Sequence, residues 1–105
     1  MSTRKRILMI DDDQRVVMTV MQFFVNSTDY ECVSAPDGKA GLKAARKEHP
    51  SLILLDIQMP KMDGLEVLKR LKGDAATQHI PIIMLTGVDT SEAKMKANYE
   101  YAEDY

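Results

Sequence analysis

Residues 7–13 read ILMIDDD, and two later stretches repeat the pattern: residues 52–56 read LILLD and residues 82–86 read IIMLT. Each stretch is a run of four aliphatic residues that ends in Asp or Thr. Short apolar runs bounded by polar residues are typical of strands that are buried on both faces, as in parallel sheets covered by helices. The carboxyl ends of parallel strands lie at one edge of the sheet, so the pattern predicts that Asp11, Asp12, Asp56 and Thr86 share one crevice.

Between these runs, the remaining sequence alternates helical and extended patterns. Asp12 or Asp13 is expected to cap a first helix that begins near Gln14 and ends near Ser27, with Val16, Val20, Phe23 and Phe24 facing the core. The other predicted elements are a strand over 30–35, a helix from 38 to about 49, a strand over 51–57, a helix from about 65 to 73, a fourth strand from 82 and a last helix to about 101. This alternation predicts an α/β fold with a parallel sheet and right-handed crossovers.

Length and composition limit the classes of protein. The 105 residues, 1–105, are expected to form one domain, and the net charge of −2 gives no reason to expect nucleic-acid or membrane binding. The apolar run after Arg4, Lys5 and Arg6 lasts four residues, which is too short for a secretion signal. The single cysteine, Cys32, lies in a predicted strand and excludes an internal disulfide, so a cytoplasmic location is expected.

The predicted crevice has the chemistry of a phosphate-handling magnesium site. Three converging carboxylates repel one another, and a hard divalent cation such as Mg²⁺ removes that conflict with oxygen ligands alone. Asp56 stands alone at the end of its strand and is the expected nucleophile for a phosphoryl group, whereas the neighbours Asp11 and Asp12 are better placed to hold the ion. The Thr86 hydroxyl is expected to donate a hydrogen bond to a phosphoryl oxygen.

Taken together, these residues resemble the receiver domains of two-component response regulators over essentially the whole chain. The resemblance implies a flavodoxin-like, doubly wound sheet of strand order 2-1-3-4-(5). It also implies that Asp11, Asp12, Asp56 and the Gln58 carbonyl bind Mg²⁺, that Asp56 accepts the phosphoryl group, and that Thr86 and Tyr105 act as the switch. The implied partner is a sensor histidine kinase or a phosphotransfer protein, and the domain is expected to be a phosphoacceptor rather than an enzyme. The sequence leaves open which kinase and which downstream effector are involved.

The sequence departs from the receiver pattern at its end. A lysine is expected three residues beyond the aromatic switch, and the sequence given stops at Tyr105. On that basis, the last part of strand five and the final helix are expected to be missing, and the fourth strand, 82–85, to be poorly covered. A chain that ends there is expected to form a homodimer or domain swap through its first helix and fourth strand.

The predicted function is a phosphorylatable signalling switch, and three other classes remain open at this point. The main alternative is a receiver-like docking or dimerisation module that is not phosphorylated. An aspartyl phosphatase would need an acid-base Asp two residues after Asp56, where this sequence has Gln58. Flavin binding is disfavoured because the first loop is acidic, whereas a phosphate cradle needs small residues and backbone amides. Slow loss of phosphate is expected because Val88 is unable to orient water.

Overall fold

A computed structural model of the chain describes residues 4–57 and 63–85 as a parallel sheet with three helices. In the sheet, the first strand lies between the second and the third, and the fourth lies beside the third, which confirms the predicted order of the first four strands. Gln58, Thr86, Val88, Tyr105, the predicted last helix and strand five lie outside the described residues. The elements are β1 (Lys5–Ile10), α1 (Gln14–Gln22), β2 (Tyr30–Ala35), α2 (Gly38–Glu48), β3 (Leu52–Asp56), α3 (Gly64–Gly73) and β4 (Ile82–Leu85).

The register of the sheet aligns the carboxyl ends of its strands. Ile10, the last residue of β1, lies opposite Ala35 of β2 and Leu55 of β3. Asp56, the last residue of β3, lies opposite Leu85 of β4. The residues that follow β1 and β3 therefore emerge side by side at one edge, as the strand-end pattern predicted.

An aspartate caps each helix at its amino end. Asp13, Asp37 and Asp63 accept hydrogen bonds from the backbone N–H groups of Arg15, Ala40 and Glu66, at 2.8 to 2.9 Å. Such caps satisfy amide groups that have no partner within the helix. The residue that follows α2 and caps its carboxyl end is His49, whose backbone is left-handed with φ of 49°. The local sequence therefore fixes where each helix begins.

The core lies between the sheet and the helices that cover it. All four residues from Ile7 to Ile10 are buried, as expected for a central strand enclosed on both faces. On the α2 and α3 side, Gly41 lets α2 approach so closely that an added Cβ would lie 2.6 to 2.8 Å from side-chain atoms of Ile10. The main cluster also includes Ile53, Leu55, Val67, Leu68, Leu71, Ile80, Ile82 and Met84.

Two of the four residues predicted to face the core from the first helix, Val16 and Phe23, are exposed, whereas the other two, Val20 and Phe24, face inward. Val17 is buried, whereas Val16 and Phe23 are exposed, the latter at 79% of its surface. The inward stripe is Val17, Val20, Met21 and Phe24, which has the spacing of one helical face. Since α1 is apolar on most sides, periodicity allows more than one register, and the contacts with the sheet select among them. Regular helix also ends at Gln22 rather than near Ser27, because the chain tightens into three-residue turns from Phe23 onward.

Strand β4 is better covered than the sequence suggested. Ile82 and Met84 are buried in the same core cluster as Leu68 and Leu71 of α3, while Ile83 and Leu85 are half-buried. Successive side chains of a strand point to opposite faces, so α3 covers one of the two sets. The expectation of poor cover is therefore wrong for Ile82 and Met84.

In the parts of the chain that are described, every helix is too short or too polar to span a bilayer.

Candidate functional site

Asp11 lies where β1 gives way to the turn before α1. Its backbone N–H donates to the Ala35 carbonyl oxygen at 3.1 Å, which extends the β1–β2 ladder by one residue. Its side chain is 3% exposed, and its Oδ1 accepts a hydrogen bond from the Asp13 N–H at 2.9 Å. Burial and this bond hold the Asp11 carboxylate in place at the mouth of the sheet.

The next two aspartates have different tasks. The Asp12 side chain is exposed and near that of Asp11. Asp13 is engaged at the helix end, where hydrogen bonds from the Arg15 guanidinium and the Arg15 backbone N–H lower the pKa of the Asp13 carboxyl. Asp13 thus caps α1, and Asp12 is left to face the crevice together with Asp11.

Asp56 is held by bonds on both sides of the β3 end. The Ile57 N–H donates to the Leu85 carbonyl at 3.1 Å, so β3 stays paired with β4 beyond Asp56. The Gly64 N–H donates to the Ile57 carbonyl at 2.7 Å and ties the start of α3 to the same point. Asp56 itself is half-buried. Hydrogen bonds of the adjacent backbone thus fix the position from which the Asp56 carboxylate extends.

The three carboxylates meet at the sheet edge. One carboxylate oxygen from each of Asp11, Asp12 and Asp56 lies within 4.8 Å of the others. These residues come from strands that are separate in sequence and adjacent in the sheet, at the position where α/β sheets bind ligands. The predicted convergence is therefore present for the acidic residues, while Gln58, Thr86 and Tyr105 lie outside the described residues.

The donor set fits a hard divalent cation. Oxygen ligands of Mg²⁺ lie about 2.0 to 2.1 Å from the ion, so opposite ligands are separated by about 4 Å and adjacent ones by about 3 Å. The observed separations of up to 4.8 Å need only a small closure to reach that geometry. Oxygen-only ligands favour Mg²⁺, Ca²⁺ or Mn²⁺ over Zn²⁺ or Cu²⁺.

Gly64 supports the site through its lack of a side chain, a role that the sequence pattern did not reveal. A Cβ at Gly64 would collide with the Asp56 carbonyl oxygen and the Ile57 Cα. The backbone at Gly64 has no positive φ, so the requirement is space rather than conformation. The only signal in the sequence is the Asp63-Gly64 pair, where a capping residue is followed by glycine.

A comparison with known families agrees with this geometry. Residues 7–105 match the family described as the response regulator receiver domain. The chain belongs to that family. Receiver domains are signalling domains of two-component systems, and the sheet order and the acidic cluster of this receiver domain have their expected places in the family fold.

Individual relatives extend the comparison. The receiver domain is 39% identical over 101 residues to the alkaline phosphatase synthesis transcriptional regulatory protein PhoP of Bacillus subtilis. The matched region covers 96% of this chain and 41% of PhoP. It is 26% identical to the phosphorylated cyanobacterial phytochrome response regulator RcpA, with a TM-score of 0.80 over 90% of this chain and 74% of that one. It is 30% identical to the Mn²⁺-bound form of response regulator Rcp1, with a TM-score of 0.79 over 90% and 73% of the two chains. The chain thus spans about two-fifths of the length of PhoP.

Proposed function

We propose that this receiver domain is a phosphorylatable switch that accepts a phosphoryl group on Asp56 in the presence of Mg²⁺. The observation that carries the proposal is the meeting of Asp56 with Asp11 and Asp12 at the carboxyl ends of β3 and β1. A single nucleophilic carboxylate beside two carboxylates that hold a cation is the minimum equipment for forming an aspartyl phosphate.

The assignment of roles follows from burial and position. Asp11 is buried and Asp12 exposed, and as neighbours they reach the crevice from one strand end, which suits a pair that holds the ion. Asp56 comes from the neighbouring strand, β3, and is half-buried. One of its carboxylate oxygens can therefore face the ion while the other faces a phosphoryl donor. The Gln58 carbonyl completes the proposed ligand set.

Phosphoryl transfer is a substitution at phosphorus. An Asp56 carboxylate oxygen forms a bond to the phosphorus of a donor phosphohistidine, and the P–N bond breaks. Its electron pair stays on the imidazole nitrogen, which then takes up a proton. When bound, Mg²⁺ neutralises charge on the phosphoryl oxygens and the carboxylates. Two similar structures, one of phosphorylated RcpA and one of Mn²⁺-bound Rcp1, support both elements of the proposal.

The switch itself involves residues outside the described ranges. We propose that the Thr86 hydroxyl moves to bond the phosphoryl oxygen and that Tyr105 turns inward as it does so. Such a change biases a two-state equilibrium of the surface that a downstream partner contacts. The donor is a sensor histidine kinase or phosphotransfer protein, and a cytoplasmic location is part of the same proposal.

The intact mass of the protein, measured with and without a small-molecule phosphodonor and Mg²⁺, tests the proposal. We expect one added phosphate on the wild type and none on Asp56→Asn. Asp29→Asn is the matched control, because Asp29 is an exposed carboxylate. It precedes β2, so it lies at the amino ends of the strands, away from the three clustered aspartates. This variant should be phosphorylated like the wild type.

The same experiment separates the main alternative. If a folded wild-type protein gains no phosphate from the phosphodonor or from a kinase, the phosphorylation proposal fails, and a docking module that keeps the fold becomes the better description. If Asp56→Asn gains as much phosphate as the wild type, the assignment of the acceptor is wrong. Folding of each variant is checked by circular dichroism.

A further inference from the structure

Strand β2 has an open edge. In the described part of the chain, β2 pairs with β1 alone and forms one side of the sheet. The Lys5 N–H donates to the Asp29 carbonyl at 2.8 Å and the Asp11 N–H to the Ala35 carbonyl at 3.1 Å, so the odd-numbered residues of this segment face β1. Consecutive residues of a strand direct their backbone groups to opposite sides. The N–H and C=O groups of Cys32 and Ser34 therefore point away from the sheet.

A groove of about 330 Å³ runs beside this edge, between β2 and α2. Its apolar part is formed by Val33, Ala40 and Ala44, and its polar lining consists of Ser34, Lys43, Lys47 and Glu48. The volume lies near the lower end of the range for ligand pockets. A groove of this size beside an open strand edge has room for one or two side chains of a strand that pairs with β2.

Exposed lysines of α2 border the groove in a chain whose net charge is −2, and the one glutamate in the lining, Glu48, is paired with Arg6. Lys39, Lys43 and Lys47 recur at every fourth residue along α2, are exposed, and make no ion pair with any residue in the described ranges. The neighbouring charges are already used: Arg46 pairs with Asp74 at 2.7 Å, and Glu48 pairs with Arg6 at 3.7 Å. The lysine stripe thus leaves an uncompensated positive field over the groove.

We propose that the β2 edge and this groove bind an extended, acidic segment of a partner protein by strand addition. The backbone groups of Cys32 and Ser34 pair with the segment, one apolar side chain of the segment enters the groove, and acidic side chains two residues away on either side face Lys43 and Lys47. Main-chain pairing supplies affinity in this mode of recognition, and the alternate side chains supply specificity.

The charge argues against a second copy of this chain at the same edge. Two β2 edges paired about a two-fold axis perpendicular to the sheet would place both α2 helices on the same face. The two lysine stripes would then face each other and repel. Positive charge beside an exposed edge also discourages self-association of strands, while an acidic partner turns the same charge into attraction.

The probe for this proposal is a short acetylated polythreonine peptide with one central valine and a glutamate at the second position on either side. Binding is followed by fluorescence anisotropy and mapped by amide chemical shifts of the protein. We expect the largest shifts at Cys32, Ser34 and the residues of α2 that line the groove. Replacing both glutamates by lysine should abolish binding, and added salt should weaken it.

Charge reversals in the protein complete the test. Lys43→Glu and Lys47→Glu are each expected to weaken binding about fivefold, in the range of one exposed ion pair. Lys69→Glu, an equally exposed change on α3, should leave binding unchanged. The proposal is overturned if the peptide fails to bind, if its shifts map to α1, if the lysine peptide binds equally well, or if all three variants behave alike. Dimerisation of the protein through β2 would overturn it as well.

Discussion

Gly64 lies at the first position of α3, with its Cα against the backbone of the β3 end. Only a hydrogen at this position leaves space for the Asp56 carbonyl and the Ile57 Cα, and the Gly64 N–H bonds the Ile57 carbonyl at 2.7 Å. These neighbours are backbone atoms, so they cannot move aside by a change of side-chain rotamer. The position of Asp56 therefore depends on the absence of a methyl group in the next helix.

Gly64→Ala is expected to destabilise the protein by about 1–3 kcal/mol, the usual cost of overpacking a tight site. Gly73→Ala is the matched control, because a Cβ at Gly73 meets nothing within 4 Å. That change should be neutral or stabilise the protein by up to about 1 kcal/mol, since alanine is the better helix former. Urea unfolding measures both free energies, and equal effects of the two changes would contradict this account of Gly64.

At the scale of elements, helix α1 presents two faces that the sequence made hard to distinguish. Val17, Val20, Met21 and Phe24 face inward, and Val16, Met18 and Phe23 are exposed. The Phe24 ring packs edge-on against Tyr30, with centroids 6.3 Å apart. It also borders a pocket with Met21 and Cys32, where burial raises the pKa of the Cys32 thiol. The thiol is half-buried, and a raised pKa makes it a poor nucleophile.

Alanine substitutions at the two adjacent phenylalanines separate these faces. Phe24→Ala is expected to lower the free energy of unfolding by about 2 kcal/mol, roughly half the cost of truncating a fully buried ring. Phe23→Ala should stay within about 0.5 kcal/mol of the wild type, as is usual for exposed positions. Thermal and urea unfolding report both values. A larger loss at Phe23 than at Phe24 would mean that Phe23 rather than Phe24 belongs to the inward face.

Polar bonds stabilise the connection from α3 to β4, which carries no candidate ligand. Arg46 of α2 reaches Asp74, and this bond, with the Ala76 N–H, lowers the pKa of the Asp74 carboxyl. Because the folded-state pKa is depressed, this contribution to stability is present above the ordinary value of 3.8 and is lost as the pH falls through the folded-state pKa. Both side chains are partly exposed, so the contribution is small.

For the whole molecule, the proposed cation site at Asp11, Asp12 and Asp56 would couple cation binding to folding. Asp11, Asp12 and Asp56 come together only when β1 and β3 pair, so the unfolded chain lacks the site. A ligand that binds only the folded state raises its stability by mass action, by about 2.7 kcal/mol at a concentration of one hundred times Kd. Mg²⁺ at the proposed site is therefore expected to stabilise the folded state.

Mg²⁺ is accordingly expected to raise the midpoint of thermal unfolding, and EDTA to reverse the rise. The rise should be lost in Asp12→Asn, whose exposed side chain has no described structural bond to disturb. Asp29→Asn again serves as the control and should respond like the wild type. An equal rise in all three proteins would indicate binding elsewhere on the acidic surface.

The sequence by itself determined the alternation of elements, the aspartate cap of the first helix and the apolar character of the strands, because each depends on neighbours within a few residues. It also predicted that Asp11, Asp12 and Asp56 meet, because parallel strands leave no other place for their carboxyl ends. Three features were decided by tertiary structure alone: the inward face of α1, the contact that requires Gly64, and the groove beside β2. Each depends on how an element sits against another that is distant in the chain, and local patterns of residues carry no information about that fit.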